Sequence, residues 1–327
     1  MAPAAVRVGV IGCGSIATAV HLRVLRRLGG VRVTALADPL PEARERARRL
    51  APGAAAVAEA DELLDRDDVD AVVVTAPSGL HAPIALATLE TERHLYLEKP
   101  IAATVEQGRQ VAAAAHEEGV VAAIGFNWRF QPLVARAREL VRAGAIGDVR
   151  AVSTVFCEPS AMPAWKRSRA EGGGVLLDLG SHHFDLVRWL LGAEVARVDA
   201  TVRSEATEHD SASVRLVLDD GRVASSFFSF RAGKVDTLEL VGERGVLRVD
   251  RYARTLTLRG ARAGVTTPAL AAWRARARLR PSEPSWAYLL AAFVEAVRGR
   301  KVELPTLDDG LRSLEIVAAA EQAAEAG

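Results

Sequence analysis

Two side chains that can move a proton stand four residues apart in one segment of the chain, Asp178 and His182. The glycine run Gly172–Gly174 precedes them, and the pattern predicts that a helix begins there. At about 3.6 residues per turn, positions four apart share a helix face, so the carboxylate can reach the imidazole. A carboxylate in that position fixes the tautomer of histidine and favours its protonated form. The pair is therefore a candidate device for general acid–base chemistry.

Two other interpretations apply to the same segment. Asp178, His182 and Asp185 are residue types that also ligate zinc or iron. No independent His or Cys pair completes such a set, so we expect no metal site. His183 points about 100° away from its neighbour on a helix, which favours a packing role for it.

A glycine-rich turn near the N-terminus is typical of dinucleotide binding. The motif Gly12-x-Gly14-x-x-Ala17 follows a β-branched run and opens a helical pattern. Gly12 permits a tight turn, Gly14 allows close approach of a pyrophosphate, and Ala17 allows close helix–strand packing. The first helical residues, Ser15 and Ile16, then offer backbone N–H groups and the positive end of the helix dipole to the phosphates.

Asp38 ends the second predicted strand, where an acid binds the adenosine ribose hydroxyls in such folds. Its carboxylate would repel a 2′-phosphate, which favours NAD as the cofactor. Arg44 and Arg46 follow within a few residues and leave NADP open as an alternative.

The elements that must position these residues fall into two parts. Alternating apolar strands and helical patterns over residues 1–125 predict an α/β domain, a Rossmann-type doubly wound parallel sheet. Residues 126–327 predict an α+β domain with a mostly antiparallel sheet and flanking helices, in which Asp219-Asp220-Gly221 is a hairpin turn. The terminal helix can pack on either domain.

Glu98-Lys99-Pro100 closes a strand of the first domain, at the edge where ligands bind in such sheets. Strand alternation puts Glu98 and Lys99 on opposite faces, so the acid need not neutralise the lysine. Taken alone, Lys99 reads as an ordinary surface lysine.

Five motifs in fixed order carry a resemblance to a known family. They are Gly12-x-Gly14-x-x-Ala17, Thr75-Ala-Pro77 with His81 following, Glu98-Lys99-Pro100, Asn127-x-Arg129-Phe130 and Gly172-Gly-Gly174-x-x-x-Asp178-x-x-x-His182-x-x-Asp185. In this order they resemble the Gfo/Idh/MocA family of NAD(P)-dependent oxidoreductases, over essentially the whole chain.

The resemblance implies an N-terminal Rossmann domain and a C-terminal domain with a large, open, mostly antiparallel sheet. It places the active site between the two domains, with Lys99, Asp178 and His182 as the catalytic triad. His182 would exchange the proton of the reacting oxygen, Asp178 would orient it, and Lys99 would polarise that oxygen. The implied cofactor-binding set is Gly12, Gly14, Ser15, Ile16, Asp38, Thr75, Pro77, His81, Glu98 and Lys99. The implied substrate-binding set is Lys99, Asn127, Arg129, Trp165, Asp178 and His182.

The function expected from these observations is hydride transfer between nicotinamide and a secondary alcohol or ketone of a sugar, cyclitol or related polyol. Two alternatives stay open. One is a 3-ketosugar reductase acting on a nucleotide-linked sugar, a hypothesis that the basic run Arg274–Arg280 would support if it binds phosphate. The other is a non-catalytic NAD(P)-binding regulator on the same fold.

Composition limits the partners. The 42 Lys and Arg residues balance 41 acids, so no overall field attracts nucleic acid or an anionic membrane. The two cysteines, Cys13 and Cys157, suit a reducing compartment, and no apolar stretch reads as a secretory signal or membrane span. We expect a cytoplasmic protein. The family resemblance implies that its partners are a small polyhydroxylated substrate and further copies of itself, as a homodimer or homotetramer through the C-terminal sheet.

Overall fold

The computed structural model describes residues 5–116, 120–159, 167–169, 173–260 and 283–326. The chain divides into two compact units. The first comprises Met1–Asn127 and Pro284–Leu314, and the second comprises Trp128–Glu283 and Glu315–Gly327.

The first unit is built on a parallel sheet of six strands in the order β3-β2-β1-β4-β5-β6, counted over the described residues. The strands are β1 (Val6–Ile11), β2 (Val31–Ala37), β3 (Ala55–Val57), β4 (Ala71–Val74), β5 (His94–Leu97) and β6 (Ala122–Ile124). The order reverses between β1 and β4, so the carboxyl ends of these two strands flank the crevice where such sheets bind ligands. This is the predicted doubly wound arrangement.

Helices cover the faces of this sheet. They are a wide π turn (Ala17–His21) continuing into α1 (Leu22–Leu25), α2 (Pro41–Arg48), α3 (Ala60–Leu64), α4 (His81–Glu90), α5 (Val105–Ala114) and α8 (Ser285–Val297). The centre of the sheet is buried on both sides, as the complete inaccessibility of every residue of β4 shows. That explains the uninterrupted apolar strands of the sequence. α8 joins this unit from far along the chain, and its Phe293 packs edge-on against Tyr96 of β5.

The second unit contains a seven-stranded sheet in the order β13-β12-β11-β7-β10-β9-β8, again over the described residues. Its strands are β7 (Val149–Cys157), β8 (Val195–Arg203), β9 (Ser211–Leu218), β10 (Val223–Ser229), β11 (Val235–Gly242), β12 (Val246–Asp250) and β13 (Thr255–Arg259). Neighbouring strands are antiparallel except β7 and β10, which are parallel. The expected turn at Asp219–Gly221 connects β9 to β10, with Gly221 at φ +84°.

One face of this second sheet is buried under helices. These are α6 (Pro132–Arg142) and a second π turn (Leu176–Gly180) that continues into α7 (Ser181–Leu191). Strand alternation sends Leu216, Ala224 and Phe228 into that core. The opposite face carries short polar side chains and scattered larger ones, as the alternating burial of β9 and β10 indicates.

Three features differ from the sequence expectations. The short elements β3 and α3 of the first unit are not predicted from the sequence pattern, and neither is the strand β13 of the second. Each is only three to five residues long, too short for a periodic pattern to stand out. The third difference is that the helix after the glycine turn and the helix that contains His182 are each preceded by a π turn instead of regular α-helix.

The terminal helix α9 (Leu307–Ala326) contains residues of both units. Over the described part of the chain, no helix has the length and apolar character that crossing a membrane requires.

Candidate active site

The glycine turn after β1 is built at backbone contact distance. Gly12 has φ +90°, and a Cβ there would lie 2.5 Å from the backbone nitrogen of Ala76. Its N–H donates to the carbonyl of Ala37 at 2.8 Å, and its carbonyl accepts from the hydroxyl of Thr75 at 2.6 Å. Thr75 therefore stabilises the turn, and its predicted contact with the cofactor stays a prediction. Only glycine fits at position 12.

Gly14, two residues on, is in the opposite situation. It is exposed, and a Cβ added there meets no atom within 4 Å. The helix then begins at Ser15, also exposed, while Ala17 is fully buried against the unit. Open space above a glycine, next to a helix N-terminus, is the cradle that a pyrophosphate fills. These residues fit a dinucleotide.

Asp38 braces the same turn. One carboxylate oxygen accepts the N–H of Cys13 at 2.7 Å, and the other accepts that of Leu40 at 2.9 Å. The guanidinium of Arg44 donates to the backbone carbonyls of Asp38 at 2.6 Å and Pro39 at 3.1 Å. The carboxylate therefore lies at the edge of the cradle, where it disfavours a 2′-phosphate.

Cys13 lies inside the turn and is chemically quiet. Burial, and next the negative charge of Asp38, raise the pKa of its thiol to about 12. A thiol that stays protonated is a poor nucleophile, so Cys13 acts as a small packing residue.

The buried side chain of His81 supports the loops after β4 and β5. Pro77 precedes a short turn, and His81 then begins α4 with only 1% of its surface exposed. The ring nitrogens of His81 lie 2.5 Å from the carbonyl oxygen of Pro100 and 2.9 Å from that of Ala76. Burial lowers the pKa of His81 despite these acceptors. His81 therefore links the two loops through its ring, and its predicted contact with the cofactor stays a prediction.

Glu98 is the buried acid of this region. One carboxylate oxygen lies 2.8 Å from Nε2 of His21, and the other accepts the backbone N–H of Lys99 at 3.2 Å. Burial opposes its ionisation, but the hydrogen bond and charge of His21, together with Lys99, outweigh burial and lower the pKa of Glu98. Lys99 itself is half-buried at the end of β5, and its peptide bond to Pro100 is cis.

His21 was missed by the sequence reasoning. It lies in the π turn, is fully buried, and contacts the ring of Tyr96 edge-on at 5.5 Å. The available signal was a histidine inside an otherwise apolar helical pattern. Such a histidine needs a buried partner, but the sequence does not say which one.

The second unit holds the predicted acid–base residues in a segment that starts with Gly174 at φ +92°. Asp178 is half-buried in the π turn, and its N–H donates to the carbonyl of Gly174 at 3.1 Å. His182 follows in the first turn of α7 and is 9% exposed. Its ring stacks on Trp128, with centroids 4.2 Å apart and planes inclined by 14°.

His183 points into the core. It is 1% exposed, stacks on Phe156 at 5.6 Å, and meets Phe228 edge-on at 5.7 Å. Its Nε2 lies 3.4 Å from a carboxylate oxygen of Asp236. The adjacent histidines thus have separate surroundings, and His183 has the packing role expected of it.

Two residues predicted to bind substrate have structural partners instead. Arg129 is 7% exposed, and its guanidinium grips Asp185 through two hydrogen bonds of 2.9 and 2.5 Å. Asn127, in the first unit, is 1% exposed and donates to the hydroxyl of Ser285 at 2.6 Å. For both, the assignment to substrate stays a prediction.

Other predicted residues lie outside the described part of the chain, namely Gly172, Trp165 and the run Arg274–Arg280. The metal alternative gains nothing from the residues that are described. Asp185 is committed to Arg129, and the described ranges contain no group of three or more His, Cys, Asp or Glu residues suited to a metal ion.

Two family models match separate parts of the chain. A family model described as an oxidoreductase family with an NAD-binding Rossmann fold matches residues 6–126. A second model, described as the GFO/IDH/MocA C-terminal domain, matches residues 134–248.

The chain also resembles individual proteins over most of its length. It is 34% identical to a dTDP-3,4-didehydro-2,6-dideoxy-alpha-D-glucose 3-reductase of Streptomyces violaceoruber, covering 90% of this chain and 86% of the relative. It is 30% identical to an inositol 2-dehydrogenase of Rhizobium meliloti, covering 96% of both. Among solved structures, GenD2 from gentamicin A biosynthesis, in complex with NAD, superposes with a TM-score of 0.82 at 30% identity, covering 99% of this chain and 95% of that one.

The two glycines of the turn give a matched test of the cradle. Gly12→Ala forces a side chain into backbone and a left-handed φ, and we expect a loss of about 1–3 kcal/mol in the free energy of unfolding from the conformation alone. Gly14→Ala meets no protein atom, so stability should change by less than about 0.5 kcal/mol. NAD affinity should nevertheless fall several-fold in Gly14→Ala, because the methyl group occupies the phosphate's space.

Denaturant unfolding and calorimetric titration with NAD measure the two effects separately. Unchanged NAD affinity in Gly14→Ala would contradict the assignment of the cradle.

Proposed function

The chain belongs to the Gfo/Idh/MocA family of NAD-binding oxidoreductases, and we propose that it interconverts a secondary alcohol and a ketone on a sugar, cyclitol or related polyol. Hydride leaves or joins the carbinol carbon while a proton leaves or joins its oxygen. When bound, NAD supplies carbon 4 of its nicotinamide as the hydride acceptor or donor. The protein must supply the proton path and stabilise charge on the oxygen.

His182 is the residue to which we assign the proton. The single observation that carries the assignment is a nearly buried imidazole, held flat against Trp128, in a chain whose first unit fits a dinucleotide. In oxidation the imidazole takes the hydroxyl proton, and in reduction it returns a proton to the new alkoxide. We assign to Asp178, in the turn before it, the orientation of the imidazole.

Lys99 is assigned to the charge on the reacting oxygen. It lies just beyond the end of β5, at the carboxyl edge of the parallel sheet, where ligands bind in such folds. The buried carboxylate beside it is occupied by His21 and by the backbone of Lys99. Glu98 therefore fixes the backbone of Lys99, and the ammonium group serves to polarise the substrate oxygen.

A second candidate substrate is a nucleotide-linked ketosugar. The observation in its favour is the 34% identity with a reductase whose name specifies a dTDP-linked sugar. The relatives named above are enzymes, so the alternative of a non-catalytic regulator has no support from them.

We also propose that the open face of the second sheet binds a second copy of the chain. This face is defined by the outward residues of β7 to β10 and includes a shallow hollow of about 490 Å³ lined by Ser153, Thr201 and Ser225. Phe227 is 38% exposed on it, and the charge of Asp199 is neutralised by Arg215 at 3.2 Å. Short side chains, an exposed aromatic ring and paired charges suit a flat, self-complementary contact.

Replacing the imidazole tests the proton assignment. His182→Ala should lower kcat by about 10²–10⁴, because general acid–base catalysis contributes about that much. Binding of NAD should be retained. The matched control is His116→Ala, which removes an exposed histidine paired at the surface with Asp308 and should leave turnover unchanged. Full turnover by His182→Ala would refute the mechanism.

The substrate class is tested by comparing kcat/KM across two panels under the same conditions. One panel contains free inositols and hexoses with NAD, and the other contains nucleoside-diphosphate-linked 3-ketosugars with NADH. We expect turnover in the first panel. Turnover confined to the second would establish the ketosugar reductase instead, and turnover in neither panel would reject both.

The association face is tested with Phe227→Glu. Two carboxylates brought together across a self-complementary face repel each other, so the variant should elute with the mass of one chain while the parent elutes as a multiple of it. Phe227 is partly exposed, so folding should be preserved. Arg109→Glu, on exposed α5, is the charge control. A monomeric parent chain, or an unchanged mass in Phe227→Glu, would contradict the proposal.

A further inference from the structure

We propose that Trp128 and Arg251 position the imidazole of His182 for proton transfer, by clamping the indole between a guanidinium and the catalytic ring. This inference rests on the proposed role of His182. It adds two positioning residues to the site, neither of which belongs to the motif that contains Asp178 and His182.

The geometry of the indole requires this arrangement. The Cζ of Arg251 lies 3.5 Å from the centroid of the Trp128 ring. The ring of His182 stacks on the same indole with centroids 4.2 Å apart and planes 14° from parallel. Both groups at those distances over one face would overlap. They therefore occupy opposite faces, and Trp128 is the middle layer of three.

The edges of the indole are blocked as well. Phe156 meets it edge-on with centroids 4.9 Å apart, and His183 meets it edge-on at 5.4 Å. Trp128 is 6% exposed. An indole enclosed on both faces and at its edges has one orientation, and it passes that orientation to the ring of His182.

Arg251 is fixed by charge. Its guanidinium donates to the buried carboxylate of Asp236 at 2.5 Å, and its backbone N–H donates to the carbonyl of the same residue at 3.0 Å. A second carboxylate oxygen, from Glu283, lies 3.5 Å away. Asp236 also faces His183 at 3.4 Å, so one acid holds both Arg251 and the histidine next to His182.

The charges around the stack are thus largely compensated. Asp236 is 2% exposed, and a lone carboxylate there would be strongly destabilising without its partner. Arg251 supplies that partner and presents the flat face of its guanidinium to the indole, which lysine cannot do. The attraction of a cation to an indole face is modest, enough to hold the ring but not to determine the fold.

The role of Trp128 and Arg251 in catalysis follows from how little displacement of the imidazole proton transfer tolerates. Proton transfer needs the imidazole within hydrogen-bond reach of the reacting oxygen, and displacement by about 1 Å lowers rates by about 10²-fold. His182 has a stacked neighbour on one side and the helix backbone on another. Without the indole, its side chain gains rotamers that point away from the reacting oxygen.

The test uses Trp128→Leu, Trp128→Phe and Arg251→Lys in the full chain. Trp128→Leu removes the stack, and we expect kcat to fall about 10–100-fold while NAD affinity stays unchanged. Trp128→Phe keeps an aromatic face and should recover most of the lost kcat. Arg251→Lys keeps the charge opposite Asp236 but loses the flat contact, so its kcat should fall between the two.

A spectroscopic measurement makes the test independent of turnover. With ¹³C-labelled histidine, the protein should give seven Hε1 resonances. The one that belongs to His182 is identified by its absence in His182→Ala. Ring current from Trp128 should shift the His182 signal upfield, and the shift should vanish in Trp128→Leu and persist in Trp128→Phe. Trp189→Leu, which removes an indole packed under Arg138, is the control for loss of a tryptophan.

The possible failures are distinguishable. If His182→Ala keeps full turnover, the proposed function fails whatever the spectrum shows. If His182→Ala is inactive but Trp128→Leu keeps the parent kcat, the positioning role is overturned. An upfield shift that persists in Trp128→Leu also overturns it. Thermal unfolding of each variant identifies any that do not fold, and Arg251→Lys, the mildest change, then carries the test.

Discussion

The backbone N–H and carbonyl of Gly12 connect the ends of three strands. Its N–H donates to Ala37 at the end of β2, and its carbonyl accepts from Thr75 just after β4, while Gly12 itself follows β1. Backbone contact at this distance leaves no room for a side chain, since a Cβ at this position would lie only 2.5 Å from the backbone nitrogen of Ala76. The candidate dinucleotide cradle depends on this junction, because it fixes where Gly14 and the helix N-terminus lie.

The junction extends into a buried electrostatic link. The helix that starts at the glycine turn carries His21, whose ring reaches the carboxylate of Glu98 at the end of β5. Glu98 then accepts the backbone N–H of Lys99. Burying a carboxylate is costly, and these two donors offset the cost only in this arrangement. The N-terminal helix and the backbone position of Lys99 are therefore linked inside one compact unit.

Much of this organisation follows from local pattern. The parallel strands of the first unit other than β3 and the turn between β9 and β10 occur where the sequence predicts them, because continuous apolar runs and turn residues specify such elements directly. Contacts between distant residues are different. Arg129 matched a family motif and was assigned to substrate, yet its guanidinium pairs with Asp185, 56 residues away. A single sequence carries no signal for which carboxylate a buried arginine will meet. The same limit hid the pairing of His21 with Glu98 and the packing of α8 on the first unit.

The π turns mark where the spacing argument itself reaches its limit. A separation of four places two side chains on one face only at about 3.6 residues per turn, whereas a π turn closes its hydrogen bonds one residue later. Asp178 lies inside such a turn and His182 just after it. Their spacing therefore no longer fixes their relation, and the orientation of the imidazole must come from elsewhere. In this protein it comes from the face of Trp128, a residue whose indole gave no periodic signal and whose influence on His182 is visible only once the chain is folded.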